Sequence, residues 1–131
     1  MNTHTSGKRK RAIARATVKK GTGKVRINNK LLDTVEPAML RMKMREPLML
    51  AGELAHQVDV GVSVRGGGMS SQADAVRLAI ARGLVAYSKD PKLEKEFLDY
   101  DRQLLVQDVR YKEVNKPGRS KARSKRQKSY R

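Results

Sequence analysis

The stretch QVDVGVSVRGGGMSSQADAVRLAIARGL, Gln57 to Leu84, decides the fold. Its first part alternates without a slip. Val58, Val60, Val62 and Val64 fall on one side, and Asp59, Gly61, Ser63 and Arg65 on the other. A period of two with one apolar side predicts a half-buried strand. Gly66-Gly67-Gly68 ends it, and the period then becomes helical. Val76, Ala79, Ile80, Gly83, Leu84 and Tyr87 form one apolar stripe of a helix predicted to run to about Ser88. Ser70 or Ser71 is expected to cap that helix, with Asp74 adding favourable charge to its first turn. Leu78, Ala81 and Val85 lie on another side, which predicts a helix held between a sheet and a second helix.

Upstream, Lys8 to Lys20 reads KRKRAIARATVKK, with Ile13, Thr17 and Val18 suggesting a strand. Gly21-Thr22-Gly23 is a turn signal. Lys24 to Leu32 follows as KVRINNKLL, where Val25 and Ile27 alternate against Lys24, Arg26 and Asn28. These two segments are expected to pair as a hairpin with five or more basic groups on its outer face. Residues 1–7 are polar and read as a loose N-terminus. Between Asp33 and Gly52 the chain is dense in Met and Leu. Pro37 suits a first helical turn, and Pro47 is expected to divide the segment into two short helices. Met39, Met42, Met44 and Met49 are expected mainly as gap-filling core rather than as an adaptable surface.

Downstream, Asp90-Pro91 starts a helix from Lys92 to Tyr100, and Leu104 to Arg110 is expected as a last strand. Lys116-Pro117-Gly118 closes the folded part. The remainder, GRSKARSKRQKSYR, holds no core-forming side chain. The expected organisation is a loose 1–7, a folded domain over 8–113 and a basic tail over 114–131.

Charge sharpens this division. The formal net charge is +17 over 131 residues. Residues 1–32 carry ten basic side chains and no acid, and residues 114–131 carry eight and none. The middle, 33–113, holds twelve basic groups and all thirteen acids. Two acid-free ends around a balanced centre repel themselves unless an anionic partner neutralises them. That partner is nucleic acid or an anionic membrane surface.

Other chemistries find little footing. There is no cysteine, so disulfides and thiolate metal sites are excluded. That fits a reducing compartment. His4 and His56 have no ligand spacing around them, and no metal or other cofactor is expected. No apolar run approaches the roughly 20 residues of a membrane span, and no signal-peptide stretch is expected at the N-terminus. Ser63, Ser70 and Ser71 lack an identifiable His partner, and no carboxylate pair stands in a recognisable motif. No catalytic residues are therefore assigned and no small-molecule substrate is expected. The glycine loop allows two readings: a phosphate cradle at a helix N-terminus, or a tight strand-to-helix connection requiring positive φ. It does not match Walker A or G-x-G-x-x-G.

Gly66 to Leu84 resembles the signature of a known family, the universal ninth protein of the small ribosomal subunit, in its archaeal and eukaryotic branch. The likeness is carried by the three glycines, Gln72, the small residues Ala75, Ala79 and Ala81, and then Arg82, Gly83 and Leu84. GTGKVRIN, Gly21 to Asn28, resembles the family's first hairpin, and the ending QKSYR, Gln127 to Arg131, resembles that branch. Bacterial members end Ser-Lys-Arg, where this chain ends Ser129-Tyr130-Arg131.

The resemblance implies an α+β domain with a four-stranded mixed sheet, helices on one face, a left-handed βαβ crossover and a long extended basic tail. It also implies a structural role in the small ribosomal subunit during translation, in the cytoplasm. The expected partners are small-subunit ribosomal RNA in the head, neighbouring head proteins, and peptidyl-site transfer RNA. Ribosomal RNA contacts are expected at Lys8, Arg9, Lys10, Arg11, Arg15, Lys19 and Lys20. They are expected too at Arg65, Gly66, Gly67, Gly68 and Gln72, and along the tail at Lys116, Arg119, Lys121, Arg123, Lys125 and Arg126. Transfer RNA contacts are expected at Lys128, Ser129, Tyr130 and Arg131. Eighteen residues at about 3.3 Å each give the tail a reach of roughly 60 Å. Such a tail orders only against RNA, and its phosphate contacts position rather than specify. Two other readings of the charge are a free RNA chaperone or nucleoid-type DNA-binding protein, and a phosphate-handling enzyme using the Gly66 loop.

Overall fold

The computed structural model describes residues 1–126, Ser129 and Tyr130. The unbroken valine alternation forms the central strand of a sheet. That strand, β5 (Val58–Arg65), buries all four valines and turns Gly61, Ser63 and Arg65 to the exposed side. It lies between β2 (Ala12–Lys20), to which it is antiparallel, and β3 (Val25–Ile27), to which it is parallel. β1 (Thr3–Arg9) pairs with β2, and β4 (Lys30–Leu31) with β3, which gives the order β1-β2-β5-β3-β4.

The sheet therefore has five strands rather than four. The expected pairing of Lys8–Lys20 with Lys24–Leu32 does not form, because β5 sits between them. Asp59 explains the connection. Its carboxylate accepts N–H bonds from Thr22 at 2.9 Å and Lys24 at 3.0 Å, so Gly21–Lys24 wraps around the start of β5 rather than folding β2 onto β3. These backbone donors, Lys24 first, hold the Asp59 carboxyl below its usual range. The actual hairpins turn at Lys10-Arg11 and at Asn28-Asn29. Both asparagines have positive φ, 50° and 69°, which suits a tight primed turn. The Asn28 side chain also extends the β3–β5 ladder: it accepts from Val64 N at 2.9 Å and donates to Val64 O at 3.2 Å.

The boundary drawn at residue 8 falls inside β1. Residues 3–7 gave no apolar signal because their inward positions are small: Thr5 bonds Ala79 O at 2.9 Å, and Gly7 is buried against the following helix layer. The last expected strand, Leu104 to Arg110, is absent. Arg102–Leu104 forms a 3-10 turn that buries Leu104, and no helix or strand follows among the described residues.

All helices lie on the valine side. α1 (Ala38–Ala51) is continuous through Pro47, α2 (Leu54–Gln57) is a single turn, and α3 (Met69–Ser88) and α4 (Pro91–Tyr100) follow β5. Pro47 removes one helical hydrogen bond but does not divide α1, since its ring is buried in the helix layer with Met44. The methionines correct another expectation: only Met44 of α1 is core, whereas Met39, Met42 and Met49 are exposed. α3 lies between the β1–β2–β5 face and α1, the sandwiched position its two apolar sides require. Its N-cap is Gly68, without a side-chain cap from Ser70 or Ser71. Asp74 lies beyond the first turn and bonds Lys43 at 2.7 Å. α4 starts at Asp90-Pro91 as expected, and Asp90 caps it, its Oδ1 accepting from Lys92 N at 2.9 Å.

Small residues set the sheet-to-helix distance. A Cβ on Gly7 would stand 2.5 Å from Ala75 O and 2.8 Å from Ala79 N, and one on Gly83 would stand 2.8 Å from Val18 Cγ2. The small residues of the Gly66–Leu84 pattern thus let β1 and β2 press directly onto α3.

Candidate nucleic-acid interface

The two sides of the sheet differ in how their arginines are satisfied. On the helix side, among the described residues, five arginines of the folded unit besides Arg9 have partners, and Arg102, exposed in the turn after α4, does not. Arg77 is nearly buried and donates to Glu46 at 2.7 Å and Asp101 at 3.0 Å. Arg82 ties Leu105 O at 2.9 Å to Ser6 O at 3.1 Å, which pins the segment after α4 to the edge strand β1. Arg41 and Arg45 pair with Glu36 and Asp33, and Arg110 chelates Asp108. Arg9, expected on RNA, belongs to this group. It opposes Ala12 on the inner face, and its Nη1 lies 2.6 Å from Asp108 Oδ2. The angle there is not that of a hydrogen bond, so the contact is one of charge.

Asp108 is the hub of this tether. Its hydrogen bonds from Arg110, aided by Arg9, hold its carboxyl down to about 2 from the usual 3.8. Asp101 is also lowered: partial burial pushes it up, but the Gln103 N–H and Arg77 outweigh that. A carboxylate held low in the fold adds stability above its ordinary range and loses it as pH falls through the folded value. Stability is therefore expected to drop between about pH 4 and pH 2, less steeply in Asp108→Asn. Denaturation midpoints against pH check this, and parallel curves for the two proteins would contradict the tether.

The uncovered face reads differently. Alternation points Ile13, Arg15, Thr17 and Lys19 of β2, Arg26 of β3, and Gly61, Ser63 and Arg65 of β5 away from the helices. Arg11 joins them from the β1–β2 turn. Arg11, Arg15, Arg26 and Arg65 are exposed, and among the described residues none forms an ion pair or side-chain hydrogen bond. Four guanidiniums on one sheet face, each with five donors unspent, suit phosphate oxygens. Arg26 was not among the expected contacts, although the Lys24–Arg26–Asn28 alternation already set it on the polar face.

The other expected residues distribute as follows. Lys10, Lys19 and Lys20 are exposed, and Lys8 lies over the Tyr111 ring, 5.4 Å from its centroid. Gly66 and Gly67 have φ of +82° and +65°, and a Cβ on Gly66 would stand 2.5 Å from Arg11 O. The glycine loop is thus a tight connection seated on the β1–β2 turn. Gln72 braces it by donating to Gly66 O at 3.1 Å. Lys116, Arg119, Lys121, Arg123, Lys125 and Arg126 are exposed. Lys116 and Arg123 pair with Glu113 in solvent, where such pairs contribute little. Residues 114–126 include turns at Lys116–Arg119 and Lys121–Ser124. Ser129 and Tyr130 are exposed, and Lys128 and Arg131 lie outside the described residues.

Among the described residues no group of three acidic or histidine side chains could hold a metal ion, and no helix is long and apolar enough to cross a membrane.

Comparison with known proteins bears on the family of the chain. The family model described as Ribosomal protein S9/S16 matches residues 7–131. The small ribosomal subunit protein uS9 of Methanothrix thermoacetophila is 55% identical over 128 residues, covering 98% of this chain and 97% of the relative. That of Halobacterium salinarum is 53% identical over 132 residues, with both chains covered fully. That of Methanococcus maripaludis is 51% identical over 130 residues, covering 98% and 97%. Likeness of this extent across the folded unit and the basic tail settles the family: the chain belongs to the Ribosomal protein S9/S16 family and is a ribosomal protein, not an enzyme.

Proposed function

We propose that this chain is a structural constituent of the small ribosomal subunit, in the cytoplasm, where it binds ribosomal RNA in the head and neighbouring head proteins. The observation that carries this is the sorting of arginines. Those packed among the helices, Arg102 excepted, are taken up by acids and carbonyls, and the four on the open sheet face are left for an external anion. In this reading Lys8, Lys10, Arg11, Arg15, Lys19, Lys20 and Arg65 meet phosphates directly, while Arg9, Gly66, Gly67, Gly68 and Gln72 shape the surface. The chain works as a folded unit followed by a tail from residue 114, and its βαβ crossover from β3 to β5 has the left hand that the family resemblance implies.

The tail supplies the second contact. Lys116, Arg119, Lys121, Arg123, Lys125 and Arg126 extend along ribosomal RNA, and Lys128, Ser129, Tyr130 and Arg131 reach peptidyl-site transfer RNA. An exposed Tyr130 beside basic residues can stack on a base or bond a phosphate. Deleting residues 128–131 is expected to leave incorporation into small subunits intact and to weaken transfer RNA at the peptidyl site by about tenfold, the size of one or two charge-assisted hydrogen bonds. Filter retention of that transfer RNA on truncated particles measures it. Unchanged retention would contradict the tail contact, and loss of the chain from the particle would contradict its separation from the folded unit.

A further inference from the structure

The open sheet face is not flat. Arg11, Ile13, Arg15, Ser63, Arg65 and Gly66 line a cavity of about 430 Å³ on it. That volume lies within the about 300–1,000 Å³ of small-molecule sites and exceeds what a single phosphate needs. The register explains the hollow. Ile13 stands opposite Arg65, and Arg15 stands between Ser63 on one side and Ser6 on the other. The short Ser63 and Gly66 make a low floor, the arginines make walls, and Ile13, 44% exposed, gives one apolar patch. Among the described residues no acid lines the cavity.

We infer that this cup takes one unpaired nucleotide of RNA, with its base against Ile13 and a guanidinium plane and its phosphate on the remaining arginines. This rests on the reading of the sheet face as the RNA-facing side, and goes beyond it by naming what enters. A duplex would present its backbone and a shallow minor groove, which a charged surface can follow but which leaves the hollow and its apolar patch unfilled. An extruded nucleotide matches all three features. Its phosphate suits the unpaired guanidiniums, its ring stacks on Arg or packs on Ile13, and its edge or 2′-hydroxyl can bond Ser63 Oγ. A larger groove of about 780 Å³, beside β3 and α1, is more apolar and includes Asp33 and Glu53 in its lining, so it lacks this match to an anion.

The test compares a fully paired RNA hairpin with four versions that each carry one bulged nucleotide, one for each base, bound to the full chain at a single salt concentration. At least one bulged hairpin is expected to bind about tenfold more tightly than the paired one, the order of a single stacking contact. Ile13→Ser, which changes no charge and sits on an exposed position, should erase most of that preference while leaving affinity for the paired hairpin unchanged. The double variant Arg15→Ala/Arg65→Ala should erase it and weaken both. Equal binding of all five hairpins by the wild-type chain, or an unchanged preference in Ile13→Ser, overturns the cup. Either result can occur while the chain still assembles into small subunits, so failure of the cup is distinct from failure of the ribosomal reading.

Discussion

Gly7→Val is expected to destabilise the fold by about 3 kcal/mol, the upper part of the usual range for overpacking. Gly7 lies in a segment whose sequence looks dispensable, yet its backbone touches α3. The atoms a Cβ would meet are Ala75 O and Ala79 N, both backbone, with Leu78 Cβ 3.1 Å away. None of them can rotate aside, so β1 must lift from the helix. Lifting it also breaks the Thr5–Ala79 and Arg82–Ser6 bonds. A valine there threatens about a third of the 5–15 kcal/mol that holds a domain together. Gly61→Ala is the control: nothing lies within 4 Å of its Cβ position, so a change within about 0.5 kcal/mol is expected. Denaturant midpoints decide it, and a wild-type midpoint for Gly7→Val would mean that β1 does not dock as described.

The second large effect is on binding rather than folding. Replacing Arg11, Arg15, Arg26 and Arg65 together by Gln removes four positive charges that form no ion pairs among the described residues. The melting temperature is expected to stay near wild type, because no partner is orphaned. The slope of log affinity for RNA against log salt should fall by about 3, since each phosphate contact contributes roughly 0.7–0.9. An unchanged slope would mean that the basic tail carries all the phosphate contacts and that the sheet face is bystander surface.

Much of this was legible in the sequence, and the failures have physical causes. The valine strand and α3 were readable because their periods are unbroken, although α3 lacks the serine cap expected of it, and α4 was readable from Asp90-Pro91 at its start. The partner of β2 was not, because adjacency along the chain favours a hairpin, whereas the Asp59 carboxylate wrapped the connecting turn and let β5 in between. β1 was missed because close packing on α3 selects Thr5 and Gly7 over apolar residues. Pro47 reads as a breaker locally, but a buried proline is tolerated where tertiary packing holds both halves of the helix. Charge gave the partner class and not the surface: Arg9 and Arg15 look alike in sequence, and only the fold puts one against Asp108 and the other in the open.

The central claim is that this chain works inside the small subunit, held by RNA. Density-gradient sedimentation of a lysate carrying the tagged full-length chain tests it most directly. At moderate salt the chain is expected in the small-subunit peak and in complete ribosomes, with high salt releasing it from RNA as its charge predicts. A chain that stays at the top of the gradient at moderate salt, away from those particles, would contradict the account.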